Sequence, residues 1–139
     1  MRIGIAVSRY NENITRGLLA GASRLLAKRG VKLGLKDTVW VPGAFELPAA
    51  ALLLARSKRY DAVIALGCIL KGETSHNQYI AEAAAYGLMQ VMLQTGIPVA
   101  FGVLTPNTMA QAKARSGKGT SNKGMECAEA ALEMAALHG

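Results

Sequence analysis

Apolar and polar positions along the chain form short β-rich runs, each followed by a helical pattern. Residues 3–7, Ile-Gly-Ile-Ala-Val, predict a first strand. Over residues 13–29, Ile14, Leu18, Leu19, Leu25 and Leu26 recur at helical spacing, and Gly30 is a natural stop. A second strand is expected at 38–41, closed by Pro42-Gly43, then a helix over 45–56 with Pro48 in its first turn. Residues 62–66 are a continuous apolar run, the pattern of a buried parallel strand. A loop at 67–76 leads to a long helix ending at Gly96. Residues 99–103 predict a fourth strand and 107–115 a short helix; after a Gly- and Lys-rich loop at 116–121, the last helix is expected over 122–137.

Strand alternating with helix implies right-handed crossovers and a parallel sheet covered on both faces. Ligands in such sheets bind beyond the C-terminal strand ends. Segments 8–11, 42–46, 67–76 and 104–107 are therefore the loops to search. Two helices are too apolar for a small monomer: 47–55 carries no charge, and 79–94 carries only Glu82. A surface helix has a polar face. Either these helices are deeply buried or a neighbouring subunit covers them, and four strands offer little cover, which favours a homo-oligomer.

Composition narrows the picture. The 139 residues contain no linker and no repeat, so residues 1–139 are expected to form one domain. At 51% apolar and 18% charged the chain is not a disordered one. Its longest apolar run, 47–55, is nine residues, far below the roughly 20 of a membrane span. The N-terminus opens directly into a strand with no signal-peptide anatomy, and Cys68 and Cys127 form no C-x-x-C, so a cytoplasmic location is expected. Sixteen Lys and Arg against nine Asp and Glu give +7, which suggests an anionic partner. With 5% aromatics and no long basic run, nucleic acid is a poor candidate.

Four features carry candidate chemistry. His76, after a buried strand, is placed to exchange protons near neutral pH, unless it merely caps a helix. His138 is penultimate and discounted, and two histidines with two distant cysteines give no metal spacing. Lys113, Arg115, Lys118 and Lys123 are four cations in eleven residues with no acid; with Gly117, Gly119 and the following helix they suit a phosphate, or else form a solvated basic loop. The loop is not a Walker motif, because Gly119 follows Lys118, and a G-x-G-x-x-G fails at Asn122. Tyr10 after the first strand could stack on a flat heterocycle or simply pack. The Pro42-Gly43 turn frees backbone groups at the sheet edge, where Glu46 either accepts from sugar hydroxyls or complements a helix dipole.

Five segments together resemble the lumazine synthases, nearly end to end. They are Ser8-Arg9-Tyr10-Asn11, Val41-Pro42-Gly43-Ala44-Phe45-Glu46-Leu47-Pro48, the stretch Gly67-Cys68-Ile69-Leu70-Lys71-Gly72-Glu73-Thr74-Ser75-His76, the run from Thr95-Gly96-Ile97-Pro98 to Leu104-Thr105, and Asn122-Lys123-Gly124 through Glu133-Met134. The resemblance implies a three-layer α/β, flavodoxin-like domain with a four-stranded parallel sheet. It also implies condensation of 5-amino-6-(ribitylamino)uracil with 3,4-dihydroxy-2-butanone 4-phosphate, in riboflavin biosynthesis, with no cofactor and no metal. Residue by residue, it implies that Tyr10 stacks on the pyrimidine, that Ala44, Phe45 and Glu46 bind pyrimidine and ribityl groups, and that the backbone of Cys68, Ile69 and Leu70 meets the uracil edge. Glu73 and Thr74 would hold the phosphate with Arg115 and nearby Lys123, His76 and Arg115 would be catalytic, and Phe101 would complete the pocket of an adjacent subunit.

The implied assembly is a homopentamer, in some relatives a shell of twelve pentamers, with riboflavin synthase as a candidate partner. Departures from the family pattern are Asn77 and Gln78, where an aromatic residue and an acid are usual, Lys71 for Arg, Ser121 for Gly, and Tyr10 for Phe. Asn77 and Gln78 support the chief alternative, a non-catalytic flavin- or lumazine-binding or shell-forming scaffold. An archaeal-type riboflavin synthase is a further one, which the 72–76 loop fits less well.

Overall fold

The computed structural model describes residues 1–71 and 76–137. It contains four strands, β1 (Ile3–Ser8), β2 (Thr38–Val41), β3 (Ala62–Cys68) and β4 (Val99–Leu104). The helices are α1 (Glu12–Lys28), α2 (Leu47–Arg56), α3 (Asn77–Thr95), α4 (Met109–Ala114) and α5 (Lys123–Ala136). The strands form one all-parallel sheet in the order β2-β1-β3-β4. This is the expected three-layer, flavodoxin-like α/β arrangement.

Strand alternation divides the core in two. Ile3, Ile5 and Val7 of β1 and Ile64 and Leu66 of β3 pack against Ile14, Leu18 and Leu26 of α1 and Ala128 and Ala131 of α5. Ala6, Val63 and Ala65 pack on the opposite face against Leu47, Ala51 and Leu54 of α2 and Leu88 and Val91 of α3. Every residue of β1 and β3 is buried, as a central parallel pair covered on both faces requires. On the α1 side, α5 comes so close that a Cβ on Gly124 would collide with the Leu18 carbonyl, and one on Gly21 with the Asn122 side chain.

The element order matches the sequence pattern, and the ends differ for local reasons. β3 runs two residues further than expected because Gly67 and Cys68 stay paired with Val103 and Leu104. The helix expected from residue 45 starts at Leu47, because residues 44–46 form a 3-10 turn first. Pro48 does sit in the first turn of α2, and Gly96 caps α3 at φ 73°, a left-handed conformation suited to glycine. The short helix α4 is confined to Met109–Ala114, capped by the Thr108 hydroxyl accepting from the Gln111 N–H.

The two apolar helices part company. α2 buries most of its apolar side chains, with Leu53 as an outlier. α3 buries only Ala84, Leu88 and Val91, while Tyr79, Tyr86, Met89 and Leu93 stand exposed along it. No helix among the described residues is long and apolar enough to cross a membrane.

At the N-terminal end of the sheet, Asp37 latches β1, β2 and β3 together. Its carboxylate accepts from the Gly34 N–H at 2.7 Å and from the buried Tyr60 hydroxyl at 2.8 Å, with Arg2 at 3.5 Å. The backbone bond from Gly34 is the main reason its carboxyl is held below the ordinary carboxylate value; Tyr60, Arg2 and Arg59 add to it against the cost of burial. A carboxylate depressed in the folded state stabilises it above the ordinary value of 3.8, and that contribution is lost as pH falls through the depressed one. Asp37→Asn is expected to cost about 1–3 kcal/mol in urea unfolding at pH 7, with the gap to the parent narrowing at pH 3. An equal gap at both pH values would contradict this role.

Candidate active site

The chain leaves β1 towards α1 on one face of the sheet and leaves β3 towards α3 on the other. The C-terminal ends of this neighbouring pair therefore open a crevice, the usual ligand position in an open parallel sheet. A cavity of about 510 Å³ lies there, lined among others by Tyr10, Ala44, Phe45, Glu46, Cys68, Ile69, Leu70 and His76. It joins the loops after β1, β2 and β3 and the start of α3.

Backbone bonds fix its walls. The Arg9 and Tyr10 N–H groups donate to the carbonyls of Val41 and Pro42, tying the loop after β1 to the loop after β2. Asn11 adopts a left-handed conformation (φ 60°), and its Nδ2 donates to the Cys68 carbonyl at 3.1 Å, tying the same loop to β3. Asparagine is one of the few non-glycine residues that tolerate this region. Tyr10 is held between these ties and is 59% exposed.

The turn after β2 is closed by Glu46: its Oε1 accepts from the Gly43 N–H at 2.9 Å, while its own N–H donates to the Gly43 carbonyl. One oxygen of this carboxylate thus braces the turn, and Oε2 lies outside that bond. The Ile69 N–H donates to Leu104 and the Lys71 N–H to Pro106, so the strand-end loop is anchored to β4. His76 is exposed at the N-terminus of α3, where its carbonyl accepts from the Ile80 N–H.

The cationic residues lie elsewhere. Arg115 and Lys123 line a second cavity of about 300 Å³ with Val103, Leu104, Thr105, Pro106 and Gln111. Among the described residues the two cavities have no lining residue in common. The loop between the cations is drawn shut by the Lys123 N–H donating to the Arg115 carbonyl at 2.8 Å. Arg115 Nε donates to the Ser121 carbonyl at 2.8 Å.

Asn122 anchors the loop from inside: its Nδ2 donates to Gly17 at 3.0 Å and Gly117 at 2.7 Å, and its Oδ1 accepts from the Met125 N–H. Phe101, on edge strand β4, lines neither cavity and is 41% exposed. Glu73 and Thr74 lie outside the described residues, as does His138. Cys127 donates to the Phe101 carbonyl, and burial pushes its thiol up to about 11, so it is a packing group and no nucleophile. Among the described residues no group of three His, Cys, Asp or Glu is gathered to hold a metal.

The family model for 6,7-dimethyl-8-ribityllumazine synthase matches residues 1–139, the whole chain. The chain belongs to this family. Of the residues that the lumazine synthase resemblance assigns to the pyrimidine substrate, all but Phe101 line the first cavity. Arg115 and Lys123, assigned to phosphate, line the second. Sequence reasoning missed three residues that hold these sites: Asn11 as a tie between loops, Asn122 as the anchor of the cationic loop, and Glu126, which pairs with both cations.

Asn122→Ala removes a helix cap and strands two carbonyls, so a loss of about 2–4 kcal/mol in chemical denaturation is expected. A change within error would mean that α5 and the loop need no such anchor.

Proposed function

We propose that this chain condenses 5-amino-6-(ribitylamino)uracil with 3,4-dihydroxy-2-butanone 4-phosphate to give 6,7-dimethyl-8-ribityllumazine, phosphate and water. The observation that carries the proposal is the first cavity, which gathers Tyr10, the 44–46 turn, the 68–70 backbone and His76 at the sheet's switch point in a chain of this family. The Tyr10 ring offers a stacking surface for the pyrimidine. The anchored loops after β2 and β3 offer fixed backbone groups for its polar edge and for the ribityl chain.

The uracil's 5-amino group attacks the ketone, and loss of water gives an imine. Elimination of phosphate leaves an enol that tautomerises to a ketone, and the ribityl-bearing nitrogen closes the second ring with loss of water. Each step moves a proton, which His76 can donate or accept. The leaving phosphate gathers negative charge, which Arg115 and Lys123 stabilise together with the backbone at Glu73 and Thr74. Holding two reactants side by side supplies much of the acceleration without any charged group.

Phe101, Arg115 and Lys123 lie outside the lining of the first cavity, and apolar side chains of α3 stand exposed; both support a site shared between copies of the chain. In this reading Phe101, Arg115 and Lys123 of one subunit close the Tyr10–His76 cavity of the next, in a homopentamer, with a shell of twelve pentamers as the larger form. The exposed side chains of α3 are then covered by neighbours.

Incubation of the protein with both substrates should release phosphate together with the lumazine chromophore; tight product binding without turnover would instead favour the scaffold reading. His76→Ala is expected to slow kcat by about 10²-fold and not abolish it. Arg115→Ala should raise KM for the butanone phosphate by about 10–100-fold, and unchanged kinetics would refute the phosphate assignment. Sedimentation should give a pentamer or a multiple of pentamers; an active monomer would contradict the shared site.

A further inference from the structure

Resting on that reading of the second cavity as the phosphate site, we infer that Glu126 is a positioning residue that sets Arg115 and Lys123 as one anion-binding pair. Glu126 stands in the first turn of α5, three residues after Lys123. A single carboxylate oxygen, Oε2, accepts from Arg115 Nη2 at 3.1 Å and from Lys123 Nζ at 3.0 Å. Arg115 Nε is taken by the Ser121 carbonyl. One edge of the guanidinium is thus fixed by two acceptors, and its Nη1 end remains for an anion in the cavity that Arg115 and Lys123 line. The Lys123 ammonium, with three N–H donors, likewise keeps donors beyond the one given to Glu126. The hydrogen bond and charge of Lys123, and the charge of Arg115, hold the Glu126 carboxyl below its ordinary value, so it stays ionised through the neutral range.

An acid beside an anion site could act in the opposite sense, as a resident competitor that weakens phosphate binding. The exposure of the cluster decides between the two. The Arg115 and Glu126 side chains are 45% and 58% exposed and that of Lys123 is 28% exposed, so much of the extra positive potential gained by removing one charge is screened by water and salt. The lost geometry has no such compensation: Lys123 would lose the carboxylate that holds it, Arg115 would keep only its Nε bond to Ser121, and the phosphate would have to order the two mutually repelling side chains on binding.

The test uses Glu126→Gln, with Glu126→Asp as the conservative variant, in the assembled protein. Inorganic phosphate is titrated by calorimetry, and KM is measured for each substrate. Glu126→Gln should weaken phosphate binding and raise KM for the butanone phosphate by about tenfold each. KM for the ribitylaminouracil should stay unchanged, which also shows that the fold survives, and Glu126→Asp should recover part of the loss. Unchanged or tighter phosphate binding in Glu126→Gln overturns the inference, as does an equal rise in both KM values. Arg115→Ala separates this from failure of the site assignment: if it binds phosphate as well as the parent does, or if the parent binds none, the phosphate reading itself falls and the Glu126 role with it.

Discussion

The structure depends on the pairing of β1 with β3, two strands buried along their whole length that send the chain to opposite faces of the sheet. Burial on both faces fixes their apolar composition, and the divergence at their C-terminal ends opens the crevice. The loops after β1 and β2 are tied to that point. The loop after β1 bonds to the Val41 and Pro42 carbonyls on one side and, through Asn11, to Cys68 on the other. The backbone at Tyr10 is therefore held by its neighbours' carbonyls, while the 44–46 turn is braced by the Glu46 carboxylate on the Gly43 N–H.

The cationic cavity is built by different physics. Its loop has no regular structure and is closed by separate anchors, chief among them the backbone bond between residues 123 and 115, the buried amide of Asn122, and the carboxylate of Glu126. A buried, fully bonded amide gives a rigid base, while an exposed ion cluster gives a surface at which an anion can arrive and leave.

Much of this was legible in the sequence. The strands follow from apolar runs such as Ile3 to Val7 and Ala62 to Leu66, and the helix ends from Pro48 and Gly96. Boundaries at β3 and α2 were not, because they depend on pairing with β4 and on the Gly43–Glu46 turn, neither of which is a property of one segment. Tyr10 and His76 could be singled out as the aromatic and the titratable group beyond strand ends. Glu46 could not be assigned, since nothing in its spacing tells whether the carboxylate faces a ligand or its own turn; one oxygen does the latter. The tie from Asn122 to α1 was invisible because its partner Gly17 lies 105 residues away. The exposure of Phe101 follows only from the position of β4 at the sheet edge.

The central claim is that the pyrimidine cavity of one chain and the cationic cavity of another make one active site. Mixed assembly tests it directly. Subunits carrying His76→Ala are dissociated and reassembled with an equal amount of subunits carrying Arg115→Ala, and turnover is compared with that of each parent variant. A shared site restores intact pairs at about a quarter of the interfaces, so activity should rise well above the mean of the two variants. Activity equal to that mean, in assemblies shown to contain both subunits, would place both halves in one chain's own site and contradict the account.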